Sequence, residues 1–92
     1  MRIGAHVSVS RSLAAAAEKA HEIGANTLQI FTQSPRMWRA VDLDPADVKR
    51  FRAARDRLGL SPLAIHGNYL INLASADQRV RRNSIASYRG EL

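Results

Sequence analysis

The chain has 92 residues, contains no cysteine and carries a formal net charge of +6. This length suits one small domain or a piece of a larger one, and the lack of cysteine excludes disulfides, thiolate zinc sites and cysteine nucleophiles. A hydrophobic content of 46% and a charged content of 24% indicate a globular chain and exclude a disordered one. No segment is apolar for long enough to cross a membrane and the start lacks the features of a signal peptide, so we expect a cytoplasmic protein.

The surplus of arginine and lysine has two interpretations. Basic side chains release counterions from phosphates, which favours a polyanionic partner such as nucleic acid. A solvated helix face rich in arginine gives the same net charge without any such partner. The charge alone does not decide between them.

Three short apolar segments alternate with three longer amphipathic ones. Residues 2–7, 26–31 and 62–66 are apolar runs of strand length, which predicts three β-strands. The segments that follow them have helical spacing, so the order is β-α-β-α-β-α. Alternation of this kind predicts an α/β fold, with a parallel sheet and helices outside it.

The first two helices have recognisable ends. Ser10 is the predicted N-cap of the first helix, and Gly24 is placed to end it in a left-handed conformation. Asp44 is the predicted N-cap of the second helix, with Pro45 at its first position. Gly59 follows its last apolar residue and is predicted to stop it.

The third helix has an apolar pattern that continues to the end of the sequence. The spacing from Ser75 to Gln78 is that of a capping box, which predicts the start of the helix. The pattern has no glycine to end it, and three strands leave two open sheet edges. We therefore expect the chain to be part of something longer. The predicted apolar residues of this helix are Val80, Ile85, Tyr88 and Leu92.

Two histidines fall at the carboxyl ends of predicted strands. Alternation along a strand places His6 and His66 on the face opposite Ile3, Leu63 and Ile65, which we expect the helices to cover. Sites in α/β folds are built at this end of the sheet, and neutral imidazole nitrogens bind metals. A hydrogen-bonded core histidine is the alternative for each. No aspartate or glutamate falls at a strand end, so no carboxylate ligand or general base is visible.

The loop after the second strand combines cations with an aromatic residue. Trp38, the only tryptophan, lies between Arg36 and Arg39, with Met37 beside it. Arginine next to a large aromatic ring suits phosphate contact or insertion into a duplex. We expect Trp38 to anchor the loop by burying its ring, and we keep Arg36 as a ligand contact.

The loop after the third strand, "YLINL", contains more large apolar residues than is usual for a loop. Tyr69 and Leu70 are candidate wedges, because aromatic and apolar side chains can unstack a duplex. We expect Ile71 and Leu73 to pack this loop down instead.

Three segments together resemble one enzyme family. "IGAHVS" (3–8), "LQIFTQSPRMWRA" (28–40) and "IHGNYLINLAS" (65–75) occur in this order and at about this spacing in endonuclease IV, the zinc-dependent apurinic/apyrimidinic endonucleases. The resemblance spans essentially the whole chain. It implies that residues 1–92 are a single partial domain, the (βα)₃ portion of a TIM (β/α)₈ barrel.

The resemblance also implies site roles. The family uses three zinc ions to cleave the phosphodiester 5′ to an abasic site in double-stranded DNA, during base-excision repair. His66 matches the family's first zinc-binding histidine, and Arg36 matches the arginine that enters the duplex. Tyr69 and Leu70 match the residues that wedge into the DNA. His6 matches a histidine that is not a metal ligand.

Two other interpretations stay open. A sugar isomerase-like or epimerase-like TIM barrel shares the fold and puts metal and histidines at the same end. A non-catalytic DNA-binding or structural remnant is the second. Because one histidine cannot hold three zinc ions, we expect this chain alone to be inactive. We also expect a full-length enzyme to be a monomer.

Overall fold

A computed structural model describes residues 1–38 and 42–92. In this part of the chain the strands form one sheet in the order β1-β2-β3, and β1 runs parallel to β2, with Gly4 opposite Thr27. The predicted alternation of strands and helices is confirmed. The elements are β1 (Gly4–His6), α1 (Leu13–Glu22), β2 (Thr27–Ile30), α2 (Pro45–Leu58), β3 (Leu63–Ile65) and α3 (Gln78–Glu91).

The chain divides into two compact units. The first unit comprises residues 1–30 and 43–64, and the second comprises residues 31–42 and 65–92. The first unit therefore holds β1, α1, β2 and α2. The second holds α3 and the two loops that follow β2 and β3.

The first unit contains the apolar core. Its helix α1 buries alanines, whose small side chains let a neighbouring helix approach closely, and α2 packs there. Leu28, Ile30 and Leu60 are each at most 2% exposed, and burial of one such side chain contributes roughly 1.5–3 kcal/mol. The core residues are Val7, Leu13, Ala16, Ala17, Ala20, Leu28, Ile30, Phe51, Ala54 and Leu60.

The start of α1 differs from the prediction. Ser12, not Ser10, is the N-cap, and its Oγ accepts from the backbone N–H of Ala15 at 2.9 Å. Ser10 instead forms a hydrogen bond with Ser8 in the preceding turn. The sequence has serines at alternate positions, 8, 10 and 12, and only the one three residues before Ala15 has the required geometry. Gly24 has a φ of 86°, as predicted for the residue that ends the helix.

The second helix has the predicted ends. The Asp44 side chain accepts from the backbone N–H of Ala46 at 3.0 Å, and Pro45 is the first helical residue. Gly59 adopts the left-handed conformation with a φ of 64°. These signals lie within a few residues of one another, which is why the sequence reveals them.

The strand faces follow the predicted alternation. Leu28 and Ile30 of β2 are buried, whereas Thr27 and Gln29, which alternate with them along the strand, are only partly buried. The opposite face borders a cavity of about 250 Å³ whose lining includes His6, Gln29 and Ala64. Ile3 was expected under the helices, but it lies before β1 and is 62% exposed, so that prediction is wrong.

The third helix differs from the prediction at its start and on its buried face. Asp77 is the N-cap, and its carboxylate accepts from the backbone N–H groups of Arg79 and Val80; the Ser75 hydroxyl accepts from the N–H of Asp77. The predicted apolar residues are largely outside: Ile85 is 41%, Tyr88 46% and Leu92 83% exposed. The buried residues are Ser84, Ser87 and Glu91.

Polar side chains are buried on α3 because they have hydrogen-bond partners in the second unit. The backbone N–H of Asn72 donates to Ser84 Oγ at 2.8 Å, and Gln33 Nε2 donates to Ser87 Oγ at 2.8 Å. Apolar periodicity alone therefore selects the wrong face. None of the helices in residues 1–38 and 42–92 combines the length and apolar character that crossing a bilayer requires.

Candidate functional site

The second unit brings His66 into contact with two aromatic rings. The ring centroids of His66 and Phe31 are 4.6 Å apart, and those of His66 and Tyr69 are 5.7 Å apart. Phe31 and Tyr69 contact each other edge to face at 5.5 Å. The three rings restrict the orientation of the imidazole, which is partly buried.

The Nδ1 atom of His66 faces a backbone carbonyl. Its Nδ1 lies 2.7 Å from the carbonyl oxygen of Gly67. A carbonyl oxygen only accepts, so Nδ1 carries the proton and the lone pair of the neutral ring is on Nε2. Histidines that bind metals commonly donate their other N–H to a backbone carbonyl in this way. The contact of Nδ1 with the carbonyl of Gly67 is the one made by histidines that bind a metal through Nε2.

The described residues do not supply a complete metal site. Residues 1–38 and 42–92 contain no group of three or more histidine, aspartate or glutamate side chains arranged to hold a metal. His6 belongs to the first unit, where its exposed side chain borders the cavity beside β1. Of the two strand-end histidines, His66 is the one that the resemblance matches to a metal ligand, and its ring makes the backbone contact common in such ligands.

The loops after β2 and β3 expose a cation and apolar side chains. Tyr69 is 59% and Leu70 is 36% exposed, and Arg36 is also exposed. The backbone N–H of Tyr69 donates to the carbonyl of Pro35 at 2.8 Å, which ties the two loops together. Exposed aromatic, apolar and guanidinium groups on anchored loops can stack on bases and contact phosphates.

The side chain of Asn68 holds this arrangement together. It is 4% exposed, and its Nδ2 donates to the carbonyls of Ser34, at 3.2 Å, and of Met37. Its Oδ1 accepts from the backbone N–H of Leu70 at 2.7 Å. One buried amide therefore connects the loop that carries Arg36 with the loop that carries His66 and Tyr69.

Trp38 does not bury its ring as predicted. Trp38 is 38% and Met37 is 51% exposed, and Trp38 borders a cavity of about 270 Å³ beside α3, together with Asn83, Ser87 and Gly90. The loop is anchored by hydrogen bonds to its backbone, so burial of the indole is not required. Arg39, the other arginine predicted beside Trp38, lies outside the described residues.

The expected apolar packing of the third-strand loop is also wrong for Leu73, which is 49% exposed. Ile71 is partly buried. The loop is held mainly by polar contacts: Asn72 donates its N–H to Ser84 and accepts from the N–H groups of Ala74 and Ser75. Asparagines that bond the backbone two residues on are typical of turns.

Two further side chains of this site, Gln33 and Glu91, could not be predicted from the sequence. Gln33 Nε2 and the backbone N–H of Asn68 both donate to Glu91 Oε1, at 2.8 and 2.9 Å. Glu91 is 23 residues from Asn68 along the chain, so no local spacing reveals the contact. The sequence shows only that Glu91 lies near the end of a predicted amphipathic helix, which does not indicate its partners.

Comparison with known proteins agrees with the fold. The xylose isomerase-like TIM barrel family matches residues 17–92. A solved structure, endonuclease IV from Thermus thermophilus, superimposes with a TM-score of 0.92 at 40% identity, covering 100% of this chain and 35% of that chain. The α/β fold and the barrel portion predicted from the sequence are confirmed.

Curated relatives agree with the resemblance. The probable endonuclease 4 of Solibacter usitatus is 55% identical over 92 residues, which is 100% of this chain and 32% of the relative. The endonuclease 4 of Thermus thermophilus is 41% identical over 93 residues, 99% of this chain and 34% of the relative. The resemblance to endonuclease IV is confirmed, and the chain spans about a third of the length of these relatives.

Proposed function

Because the chain belongs to the xylose isomerase-like TIM barrel family, we propose that it supplies the first three βα units of a zinc-dependent endonuclease. This enzyme cleaves the phosphodiester 5′ to abasic sites in double-stranded DNA during base-excision repair. Residues 1–92 are one partial domain of its barrel, and the enzyme works as a cytoplasmic monomer. The names of the relatives, probable endonuclease 4 and endonuclease 4, support a nuclease.

One observation carries this proposal. The Nδ1 of His66 lies 2.7 Å from the carbonyl oxygen of Gly67, as in histidines that bind a metal through Nε2, and the same loop exposes Tyr69 and Leu70. A metal ligand and a nucleic-acid contact three residues apart suit an enzyme that cuts the DNA it binds.

His66 would hold one zinc ion of a three-zinc site through Nε2. When bound, zinc supplies Lewis-acid chemistry and an activated water for phosphodiester hydrolysis. The remaining ligands would come from later βα units of the barrel, since residues 1–38 and 42–92 contain no complete ligand group. The 92-residue chain by itself is therefore expected to be inactive.

The exposed loop residues would bind the DNA. Arg36 would contact the backbone or enter the duplex beside the lesion, because guanidinium groups pair well with phosphates. Tyr69 and Leu70 would wedge between bases and help to expose the flipped-out abasic site. The net charge of +6 favours the approach of DNA.

A sugar isomerase-like or epimerase-like barrel is the second candidate, because the matching family is described as xylose isomerase-like. The exposed arginine and wedge residues favour DNA over a small sugar, which needs an enclosed polar pocket. A non-catalytic DNA-binding remnant would share the wedge residues but would not need a metal ligand at His66.

The test uses a full-length barrel, made by joining this chain to the C-terminal two thirds of the Thermus thermophilus relative, of which the chain spans 34%. His66→Ala is expected to lower the zinc content measured by mass spectrometry. His21→Ala, an exposed histidine on α1, is the matched control and should leave it unchanged. Equal zinc in both variants would refute the ligand assignment.

The wedge role is tested in the same full-length barrel. Tyr69→Ala is expected to weaken binding to an abasic duplex about tenfold, which corresponds to about 1.4 kcal/mol, while zinc content stays constant. Tyr88→Ala is the matched control, since Tyr88 is 46% exposed on α3. Equal affinities of the Tyr69 variant and the unmodified protein would remove Tyr69 from this role.

A further inference from the structure

Glu91 is a buried carboxylate that neither the metal site nor the DNA contacts use. It is 7% exposed and lies in the last turn of α3. Its Oε1 accepts from the backbone N–H of Asn68 at 2.9 Å and from Gln33 Nε2 at 2.8 Å. Burial of a carboxylate is costly unless hydrogen bonds compensate for the lost water, so these two donors account for its position.

The carboxylate reaches the turn directly after the candidate metal ligand. A Cβ atom placed on Gly67 would lie 3.7 Å from Glu91 Oε2. One carboxylate oxygen thus binds the N–H of Asn68, and the other lies beside Gly67, whose carbonyl accepts from His66 Nδ1. Glu91 therefore hydrogen-bonds to Asn68, and its second carboxylate oxygen lies near Gly67.

Gln33 restrains the carboxylate from the other side. Its Nε2 donates both to Glu91 Oε1 and to Ser87 Oγ, which is one turn earlier on α3. Gln33 itself lies in the loop after β2, next to Ser34, whose carbonyl accepts from the Asn68 side chain. The loop after β2, the loop after β3 and α3 therefore meet at one hydrogen-bond network, and networks of this kind rigidify the groups they connect.

We propose that Glu91 is a positioning residue: its hydrogen bond to the Asn68 backbone sets the turn that orients His66 and Tyr69. The inference rests on the proposed function, because it concerns the same loop. Glu91 acts through Asn68 and touches neither zinc nor DNA. This role requires a side chain long enough to bring an acceptor oxygen to the Asn68 N–H, and it does not require the negative charge.

Two substitutions separate reach from charge. Glu91→Gln keeps the side-chain length, and its amide oxygen, in the position of Oε1, can still accept from the Asn68 N–H and from Gln33 Nε2. Glu91→Asp keeps the charge, but it is one methylene shorter and cannot reach the Asn68 N–H. Ser87→Ala is the matched control, since it removes a buried hydrogen bond of Gln33 and leaves Asn68 bonded to Glu91.

The first measurement is hydrogen–deuterium exchange of the peptide covering residues 66–72, in the full-length barrel without DNA. Glu91→Asp is expected to speed exchange at Asn68 at least tenfold, whereas Glu91→Gln and Ser87→Ala stay within about threefold of the unmodified protein. This readout does not depend on nuclease activity. It therefore overturns the positioning role, and not the proposed function, if Glu91→Asp leaves exchange unchanged.

The second measurement is the dissociation constant for an abasic duplex. Glu91→Asp is expected to weaken binding about tenfold, and Glu91→Gln to stay within about threefold. Loss of binding in Glu91→Gln with normal binding in Glu91→Asp would show that the charge is required and would overturn the inference. If the unmodified barrel shows no preference for abasic duplex, the proposed function fails, while the exchange result still decides the role of Glu91.

A third variant, Gln33→Leu, tests the same network if Glu91→Asp does not fold. Gln33→Leu leaves the bond between Glu91 and Asn68 but removes the donor that restrains the carboxylate. Exchange at Asn68 is then expected to rise about sixfold, which is beyond the range of about threefold allowed for Ser87→Ala. No change in this variant would contradict the network.

Discussion

Replacement of Asn68 by alanine tests the physical basis of the candidate site. The Asn68 side chain is 4% exposed and joins the loops after β2 and β3. Alanine would remove its hydrogen bonds to the carbonyls of Ser34 and Met37 and to the N–H of Leu70. We expect both loops to loosen, because these bonds connect one loop to the other.

The size of the effect follows from these three hydrogen bonds. Each contributes about 1 kcal/mol net, so the substitution should lower the free energy of unfolding by about 3 kcal/mol. With a denaturant slope of about 1.5 kcal/mol per molar urea, the midpoint should fall by about 2 M. Asn72→Ala is the matched control: its side chain accepts an exposed hydrogen bond, from Ala74 at 3.1 Å, and its midpoint should fall by only about 0.3 M.

The assay is urea titration of the 92-residue chain. Trp38 is its only tryptophan and lies in the loop that Asn68 holds, so indole fluorescence follows the second unit while circular dichroism follows all helices. The Asn68 variant should lose its fluorescence transition at lower urea than its dichroism transition. Equal midpoints for the Asn68 and Asn72 variants would refute the reasoning.

Two further predictions concern the pairing of β1 with β2 and the start of α1, each with a control substitution. A Cβ on Gly4 would lie 2.6 Å from the carbonyl oxygen of Thr27, so Gly4→Ala should destabilise the pairing of β1 and β2 by about 1–3 kcal/mol in thermal unfolding. Gly90→Ala, with no atom within 4 Å of the new methyl, should instead stabilise α3 by about 0.5–1 kcal/mol; destabilisation by both would contradict the steric argument. The Asp47 carboxylate accepts from the N–H of Leu13 at 2.8 Å and so caps α1 from α2, which predicts a loss of about 1–2 kcal/mol for Asp47→Ala. Glu18→Ala breaks an exposed ion pair and should cost less than about 1 kcal/mol, so a larger loss for Glu18→Ala than for Asp47→Ala would contradict this interpretation.

Local signals in the sequence predict local structure well. The ends of α2 follow from Asp44, Pro45 and Gly59, whose side-chain and backbone preferences act within a few residues. The alternating faces of the strands follow in the same way from their period of two. Where several candidates compete, as with Ser10 and Ser12, the spacing does not select the cap that the backbone uses.

Long-range polar contacts explain most of what the sequence did not reveal. The buried face of α3 consists of Ser84, Ser87 and Glu91, so a search for apolar periodicity finds the exposed face. Their partners, Asn68 among them, are distant in sequence. Hydrogen bonds of this kind depend on tertiary structure and have no periodic pattern.

The interpretation of the candidate site draws on the position of His66 in its strand, on the resemblance and on the geometry. Position on a strand end made His66 a possible ligand, and the resemblance to endonuclease IV assigned it to zinc. The geometry adds an observation, since Nδ1 contacts the Gly67 carbonyl, as it does in histidines that bind a metal through Nε2. The roles of Arg36, Tyr69 and Leu70 follow from the resemblance and agree with their exposure.

The most direct test of the account is incision of a duplex that contains one abasic site. The full-length barrel, loaded with zinc, is predicted to cut the strand on the 5′ side of the lesion, and His66→Ala is predicted to cut at least roughly 100-fold more slowly, as expected when an activated metal-bound water is lost. His21→Ala should cut at the rate of the unmodified protein. A folded, zinc-loaded barrel that leaves the abasic strand intact, or a His66→Ala variant that cuts at the unmodified rate, would contradict the account.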